Sequence, residues 1–348
     1  MTFEVPIIDL TAFVTDGEPD ARAATARAID AAASTVGFMQ IVGHGVPQPI
    51  LDDFAAAQDG FFGLDLEVKK RYRVPPPINR GYSPPKSESL SLSLGVEQAS
   101  RMNDFFEAFN IGVAASAHPR LELSIIDYAE NVWPQEVPDF RPAVSAYFAE
   151  AGRVARTLAT AFAQALELPA GYFDPFIDHS QDVLRMNNYA LPPGTVDLDG
   201  ELTGMGEHTD YGILTVLWAD QVAGLQVLGA DGGWHDVAPA DGALLVNLGD
   251  LMARWTNERW LSTLHRVKPP VVNGTIARRR SAAYFCDGNA DAVISTLPSC
   301  IGEGSKYEPV SVAEHLRVKL AGSRYLQPNT NAPREAARVL AAQRGERG

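Results

Sequence analysis

Apolar residues recur along this chain in two rhythms, helical in the first half and strand-like in the second. Over residues 140–166, Val144, Tyr147, Phe148, Ala151, Val154, Leu158, Ala161, Phe162 and Ala165 follow at three- and four-residue steps. A helix gathers such positions into one apolar stripe. The spacing predicts a long amphipathic helix that Pro169 and Gly171 end. Further helices are predicted over 20–33, over about 49–62 and over 66–72. Pro75-Pro76-Pro77 stops the last of these, because proline lacks the amide donor and clashes with the preceding turn. Residues 5–9 and 37–42 are short apolar strands, the second closed by Gly43-His44-Gly45-Val46-Pro47. Residues 75–101, rich in Pro, Ser and Gly, read as a long loop or loose hairpin, a kind of segment that is either functional or poorly ordered.

The second half consists of short β-rich runs over 183–189, 213–218, 224–228, 234–237, 243–248, 264–267 and 281–285, separated by Gly, Asp or Pro turns. Many short, evenly spaced strands argue for a barrel or sandwich. The expected class is mixed α/β with a mainly β core. A helical region over 1–165 packs around a core over 175–320, and a helical tail covers 321–348, with a short polar helix at 333–342. No internal repeat or low-complexity tract interrupts this plan.

Composition narrows the partners. The net charge is −14 with a pI near 4.9, and the densest basic run is only Arg278-Arg279-Arg280. So acidic a chain repels phosphate backbones, which argues against nucleic acid. No apolar run approaches the roughly 18 residues of a membrane span. The start, with Glu4 and no basic segment before an apolar run, does not read as a secretory signal. Cys286 and Cys300 are too few for a disulfide scaffold and read as two ordinary thiols. A cytoplasmic protein, monomeric or weakly homo-oligomeric, is the expectation.

His208-Thr209-Asp210 stands at the start of an apolar run, just after Gly204-Met205-Gly206. Side chains two apart on an extended segment share a face, so imidazole and carboxylate can grip one ion. Thr263-Leu264-His265-Arg266-Val267 offers a third ligand from a distant strand. Two histidines and a carboxylate leave half of an octahedral sphere open, as non-haem Fe(II) oxygenases require. Zinc hydrolases more often use a helical H-E-x-x-H pair, which is missing from this sequence. A lone H-x-D pair is more often a solvated turn or a hydrogen-bonded core group than a metal site, so its surroundings decide. His44 and His235 read as turn and hairpin residues, and Cys286 as a small core residue.

Those surroundings carry a resemblance. His208-Thr209-Asp210-Tyr211-Gly212, His265-Arg266-Val267 and Arg279-Arg280-Ser281 followed by Ala-Ala-Tyr-Phe resemble the isopenicillin N synthase-like branch of the 2-oxoglutarate/Fe(II) dioxygenases. So do Pro6-Ile7-Ile8-Asp9, Gly37-Phe38-Met39-Gln40, Gly43-His44-Gly45-Val46, Arg80-Gly81-Tyr82, residues 184–189 and residues 242–250, in one order from about residue 5 to residue 290. The resemblance implies a double-stranded β-helix, or jelly roll, with the metal at one mouth. It implies His208, Asp210 and His265 as Fe(II) ligands, and Arg279 with Ser281 as the pair holding the distal carboxylate of 2-oxoglutarate. A guanidinium fork suits a carboxylate, and residues two apart on a strand both point inward. Asn187 and Tyr189 match positions lining the co-substrate end; Tyr189 either donates its hydroxyl to 2-oxoglutarate or is a core tyrosine. Between His265 and Arg279 the chain is a few residues longer than many relatives, and Asn273-Gly274 reads as an enlarged hairpin, which keeps the neighbours of Arg279 in play as anchors.

The implied reaction uses Fe(II), 2-oxoglutarate and O₂ to hydroxylate or desaturate a small-molecule metabolite, releasing succinate and CO₂. No convincing Ser-His-Asp or Cys-His set competes with that reading. Arg101, Phe105, Phe106, Tyr211 and Tyr284 are the candidate substrate-facing residues. Three rivals stay open: an iron oxidase that works without 2-oxoglutarate, a metal-free jelly-roll binding protein, and a zinc or manganese cupin isomerase.

Overall fold

Alternation along the strands sorts their side chains onto two faces, and the fold follows from where each face is buried. The computed structural model describes residues 3–85, 87–88, 90–94, 106–190, 205–268, 271–272, 275–325, 329, 337 and 340. Strand β1 (Ile7–Asp9) leads through α1 (Thr11–Val14) and α2 (Pro19–Thr35) to β2 (Phe38–Val42). Helices α3 (Gln48–Phe62) and α4 (Leu66–Lys69) precede β3 (Gly81–Ser83) and β4 (Glu107–Gly112). The long helix α5 (Phe140–Ala165) and the short α6 (Asp174–Ile177) then lead into β5 (Val183–Tyr189), β6 (Met205–His208), β7 (Leu214–Ala219), β8 (Leu225–Leu228), β9 (Trp234–Val237) and β10 (Leu244–Leu248). Helix α7 (Asp250–Trp255) is followed by β11 (His265–Val267), β12 (Val271–Val272), β13 (Thr275–Ile276) and β14 (Arg279–Cys286). Strands β15 (Val293–Ile294) and β16 (Val310–Ser311) pair before the final helix α8 (Val312–Tyr325).

One sheet runs β1-β2-β10-β7-β14-β5-β4-β3 and the other β6-β11-β8-β9. Phe38, Ala108, Tyr189 and Leu245 from the large sheet pack with Met205, Leu225, Val227 and Val267 from the small one, so the two inner faces enclose a common interior. This is the jelly roll. The outer face of the large sheet (Leu184, Met186, Val216, Val246, Ala282, Tyr284) is covered by helices. Against it lie Val144, Tyr147, Ala151 and Val154 of α5 and Phe54 and Phe61 of α3. Fully burying each large side chain of that layer contributes about 1.5–3 kcal/mol. The apolar rhythm over 140–166 is therefore the seam between helices and barrel.

Three local points differ from or extend the sequence reading. Helix α5 ends at Ala165, before Pro169, because Glu167 takes a left-handed conformation (φ 56°) and Leu168 donates back to the Ala163 carbonyl. The added length between His265 and Arg279 forms the β12–β13 hairpin, with Val271 opposite Ile276. Helix α8 runs across the expected boundary between the core, ending at 320, and the tail, starting at 321, and most of the expected 333–342 helix lies outside the described residues.

Candidate metal centre and co-substrate pocket

Register brings the three proposed ligands together. His265 on β11 pairs directly with His208 on β6, and Asp210 follows two residues after His208. One ligand atom from each of His208, Asp210 and His265 lies within 4.8 Å of the others, and all three residues are buried. Among the described residues this is the one such group of His, Cys, Asp and Glu.

Each side chain is oriented by its other end. His208 Nδ1 faces the Gly206 carbonyl at 2.8 Å, and His265 Nδ1 faces the Thr263 carbonyl at 3.0 Å. A carbonyl can only accept, so both rings carry the proton on Nδ1 and turn the Nε2 lone pair toward the centre. Asp210 Oδ2 accepts from the Thr215 hydroxyl at 2.5 Å and the Asn247 amide at 2.6 Å. That leaves Oδ1 facing His265 Nε2 at 3.7 Å and His208 Nε2 at 4.0 Å. Burial, with the neighbouring His265 ring, lowers the His208 pKa to about 3 and keeps it neutral, as a metal ligand must be. Behind the loop, Gly212 and Gly249 allow two backbones to touch: a Cβ on Gly249 would lie 2.1 Å from the Gly212 carbonyl oxygen. Asp250 and Leu251 donate backbone hydrogen bonds to the Asp210 and Gly212 carbonyls at 2.9 and 3.1 Å. The donor set fits a divalent ion that takes nitrogen and oxygen on one face.

A cavity of about 390 Å³ opens from this centre into the barrel. Arg279, Ser281, Ala283 and Phe285 of β14 line it, as do Val183, Arg185, Asn187 and Tyr189 of β5. These are alternate residues of two paired strands, Arg279 opposite Tyr189 and Ser281 opposite Asn187. Arg279 is buried, and its Nε and Nη1 have no hydrogen-bond partner. Burial lowers its pKa, and its guanidinium lies 5.3 Å from the centre of the Tyr189 ring. Its neighbours point the other way: Arg278 and Arg280 both pair with Asp59 of α3. Of the three arginines, only Arg279 lines the cavity. A buried guanidinium with unmatched nitrogens is costly, and an anion entering this end of the cavity would relieve that cost.

The remaining candidates separate. Tyr211 lines the cavity, and burial pushes its hydroxyl up to about 12. Phe106 is buried beneath Tyr189, ring centres 5.7 Å apart, and lies outside the cavity wall. The expectation for Tyr284 is corrected. It occupies the helix-facing side of β14, where its hydroxyl donates to Asp182 at 2.6 Å and its ring packs on Phe148, because even-numbered residues of that strand face outward. Arg101 and Phe105 lie outside the described residues. His44 bonds the Gly242 carbonyl at 2.9 Å, His235 bonds Asp231, and both cysteines are free.

Sequence reasoning missed several wall residues. Arg185 shares the parity of Asn187 and Tyr189, and extending that alternation back would have found it. It donates to Asn187 at 3.1 Å and pairs with the buried Glu88 at 3.0 Å. Thr215 and Asn247 were visible as polar residues inside apolar strands. Glu88 and Arg324, from a loop and from α8, carried no periodic signal.

The fold and site define a mononuclear non-haem metal oxygenase. The family comparisons agree. Residues 5–136 match the family model described as non-haem dioxygenase in morphine synthesis N-terminal, and residues 181–288 match the 2OG-Fe(II) oxygenase superfamily. The chain is similar to a 2-oxoglutarate-Fe(II) type oxidoreductase, hxnY, of Emericella nidulans, with 35% identity over 90% of this chain and 88% of that one. It is also similar to validamycin A dioxygenase of Streptomyces hygroscopicus subsp. limoneus, with 33% identity over 92% of this chain and 86% of that one. Among solved structures, a full-length Neurospora crassa protein in complex with alpha-KG and thymine superposes with a TM-score of 0.78 at 29% identity, covering 91% of this chain and 96% of that one. The chain belongs to the 2OG-Fe(II) oxygenase superfamily, and it is a 2-oxoglutarate-dependent dioxygenase acting on small molecules. Among the described residues no helix is long and apolar enough to cross a membrane.

Proposed function

We propose that His208, Asp210 and His265 hold the Fe(II), that Arg279 and Ser281 take the far carboxylate of 2-oxoglutarate, and that a small substrate sits in the outer part of the same cavity. When bound, the iron and 2-oxoglutarate supply oxidation of a C–H bond by O₂, with succinate and CO₂ released. The observation that carries this reading is the convergence of three ligand atoms beside a cavity whose far end holds a buried arginine with two unmatched nitrogens. Ser281, beside Arg279, adds a hydroxyl donor, and Tyr189 and Asn187 wall that end. The protein's own task is positional: fix the ligand atoms, satisfy the carboxylate and exclude water.

In this reading the substrate has an apolar body and a polar group. Phe285, Val183, Tyr211 and Leu320 offer apolar surface, while Arg185 and Glu88 offer a donor and an acceptor on the same wall. Hydroxylation is the proposed outcome; product analysis separates it from desaturation. The enzyme is read as a cytoplasmic monomer or weak homo-oligomer without nucleic-acid or membrane partners, a reading supported by its net charge of −14 and two free cysteines. An oxidase that dispenses with 2-oxoglutarate would leave Arg279 buried without its anion, which disfavours that alternative.

Anaerobic addition of Fe(II) and then 2-oxoglutarate, followed by visible absorbance, tests the proposal. A weak metal-to-ligand charge-transfer band is expected, together with CO₂ release from labelled 2-oxoglutarate in air. Tight iron binding with no band and no CO₂ would refute the co-substrate assignment.

A further inference from the structure

A buried ion pair that the proposed chemistry does not use lies directly behind the ligand loop. Lys319 of α8 places Nζ 2.7 Å from Asp250 Oδ2, with side-chain exposures of 3% and 4%. Asp250 opens α7 and is otherwise engaged on every side. Its Oδ1 accepts from the Ser262 hydroxyl at 2.7 Å, and its Oδ2 also accepts from the Thr209 hydroxyl at 3.2 Å. Its backbone N–H donates to the Asp210 carbonyl at 2.9 Å. Thr209 is the residue between the two ligands His208 and Asp210.

The same helix touches the loop a second time, one turn earlier. His315 Nε2 lies 3.1 Å from the Tyr211 carbonyl, so that ring donates from Nε2. Leu316, Leu320 and Arg324 of α8 line the cavity. One helix therefore supplies substrate wall and loop anchor together. A buried charge pair is a poor device for stability alone, since an apolar pair of similar volume is often as stable, and removing one partner strands the other. Its use here points to geometry rather than to stability.

We propose that Lys319 is a positioning residue for the metal centre: through Asp250 and Thr209 it fixes the backbone between His208 and Asp210, and it thereby ties the α8 wall of the cavity to the ion. Without Lys319, Asp250 is left with the Ser262 and Thr209 hydroxyls and no cation against it, and its hold on Thr209 loosens. The inference rests on the reading of His208, Asp210 and His265 as Fe(II) ligands.

The test compares Lys319→Met, Thr209→Val and the double variant with wild type by anaerobic Fe(II) titration of the apoprotein, beside melting curves and the KM for 2-oxoglutarate at saturating iron. Lys319→Met is expected to weaken Fe(II) binding about tenfold, the lower end of what outer-shell partners contribute. Thr209→Val, which keeps the ion pair and the fold, should weaken it several-fold, and carries the test should Lys319→Met melt below the assay temperature. The KM for 2-oxoglutarate should stay within about twofold, because Arg279 and Ser281 stand on another strand, and the double variant should be no worse than Lys319→Met. Wild-type iron affinity in Thr209→Val, additive losses, or an equal decline of iron and 2-oxoglutarate affinity would each overturn the proposal. The premise fails separately: that outcome is a wild-type protein whose iron binding is indifferent to His265→Ala.

Discussion

The two ends of the cavity are built on opposite principles. At the metal end the outward-facing polar atoms are matched within the protein: two imidazole Nδ1 atoms on carbonyls, one carboxylate oxygen on Thr215 and Asn247. At the far end Arg279 keeps its charge buried with two nitrogens unmatched. The first site is organised before any ligand arrives, and the second is completed by one. Iron affinity should therefore depend on a network of protein groups, while 2-oxoglutarate affinity should depend on very few.

The sharpest way to break that contrast is at a ligand itself. His265→Ala removes one of three ion contacts, and Fe(II) binding and CO₂ release should fall below detection in anaerobic titration and labelled-2-oxoglutarate assays. Arg279→Met should raise the KM for 2-oxoglutarate about 100-fold, in line with the roughly 2–5 kcal/mol lost when one partner of a buried charge pair is truncated. Iron affinity should stay near wild type, and the melting temperature of the apoprotein should hold or rise, since an unmatched buried charge is removed. An apoprotein destabilised by Arg279→Met would mean that the guanidinium already has its partner inside the protein. Asn247→Leu tests the network: Oδ2 of Asp210 keeps only Thr215, and Fe(II) should bind about tenfold more weakly with the KM for 2-oxoglutarate little changed.

The same contrast explains what was legible in the sequence. Asp210 stands two residues beyond His208, the last residue of β6, and Arg279 and Ser281 are two apart on β14, so a step of two announces both pairs. His265 is found by pairing of strands far apart in sequence, which the family motif supplied and the register explains. Alternation also carried Asn187 and Tyr189, and it would have carried Arg185 and ruled out Tyr284 had parity been followed along the whole of each strand. Thr215 and Asn247 stood out only as polar letters in apolar runs, with nothing to say which carboxylate they serve. Lys319 and Glu88 had no such signal, because a helix and a loop reach the site through tertiary packing alone. Local period reads the barrel wall; it does not read what is laid over its mouth.

Acid gives the smallest and most selective way to separate the two ends. Folding holds His208 neutral with a pKa of about 3, against 6.5 for the free side chain. Below pH 6.5 the unfolded chain therefore takes up a proton that the folded apoprotein refuses, so stability is full above that pH and declines as pH falls toward about 3. The decline approaches about 1.4 kcal/mol per pH unit, and by pH 6 this residue accounts for about 1 kcal/mol. Arg279 stays protonated throughout and adds no slope. Urea denaturation of the metal-free protein at pH 7.5, 6 and 5 should show the loss, and His208→Gln should flatten most of it, while His315, likewise lowered to about 3 by burial, adds its slope to both proteins. Equal slopes in the two proteins would mean that His208 accepts its proton in the folded state, and the metal end would then lack the neutral ligand on which its organisation depends.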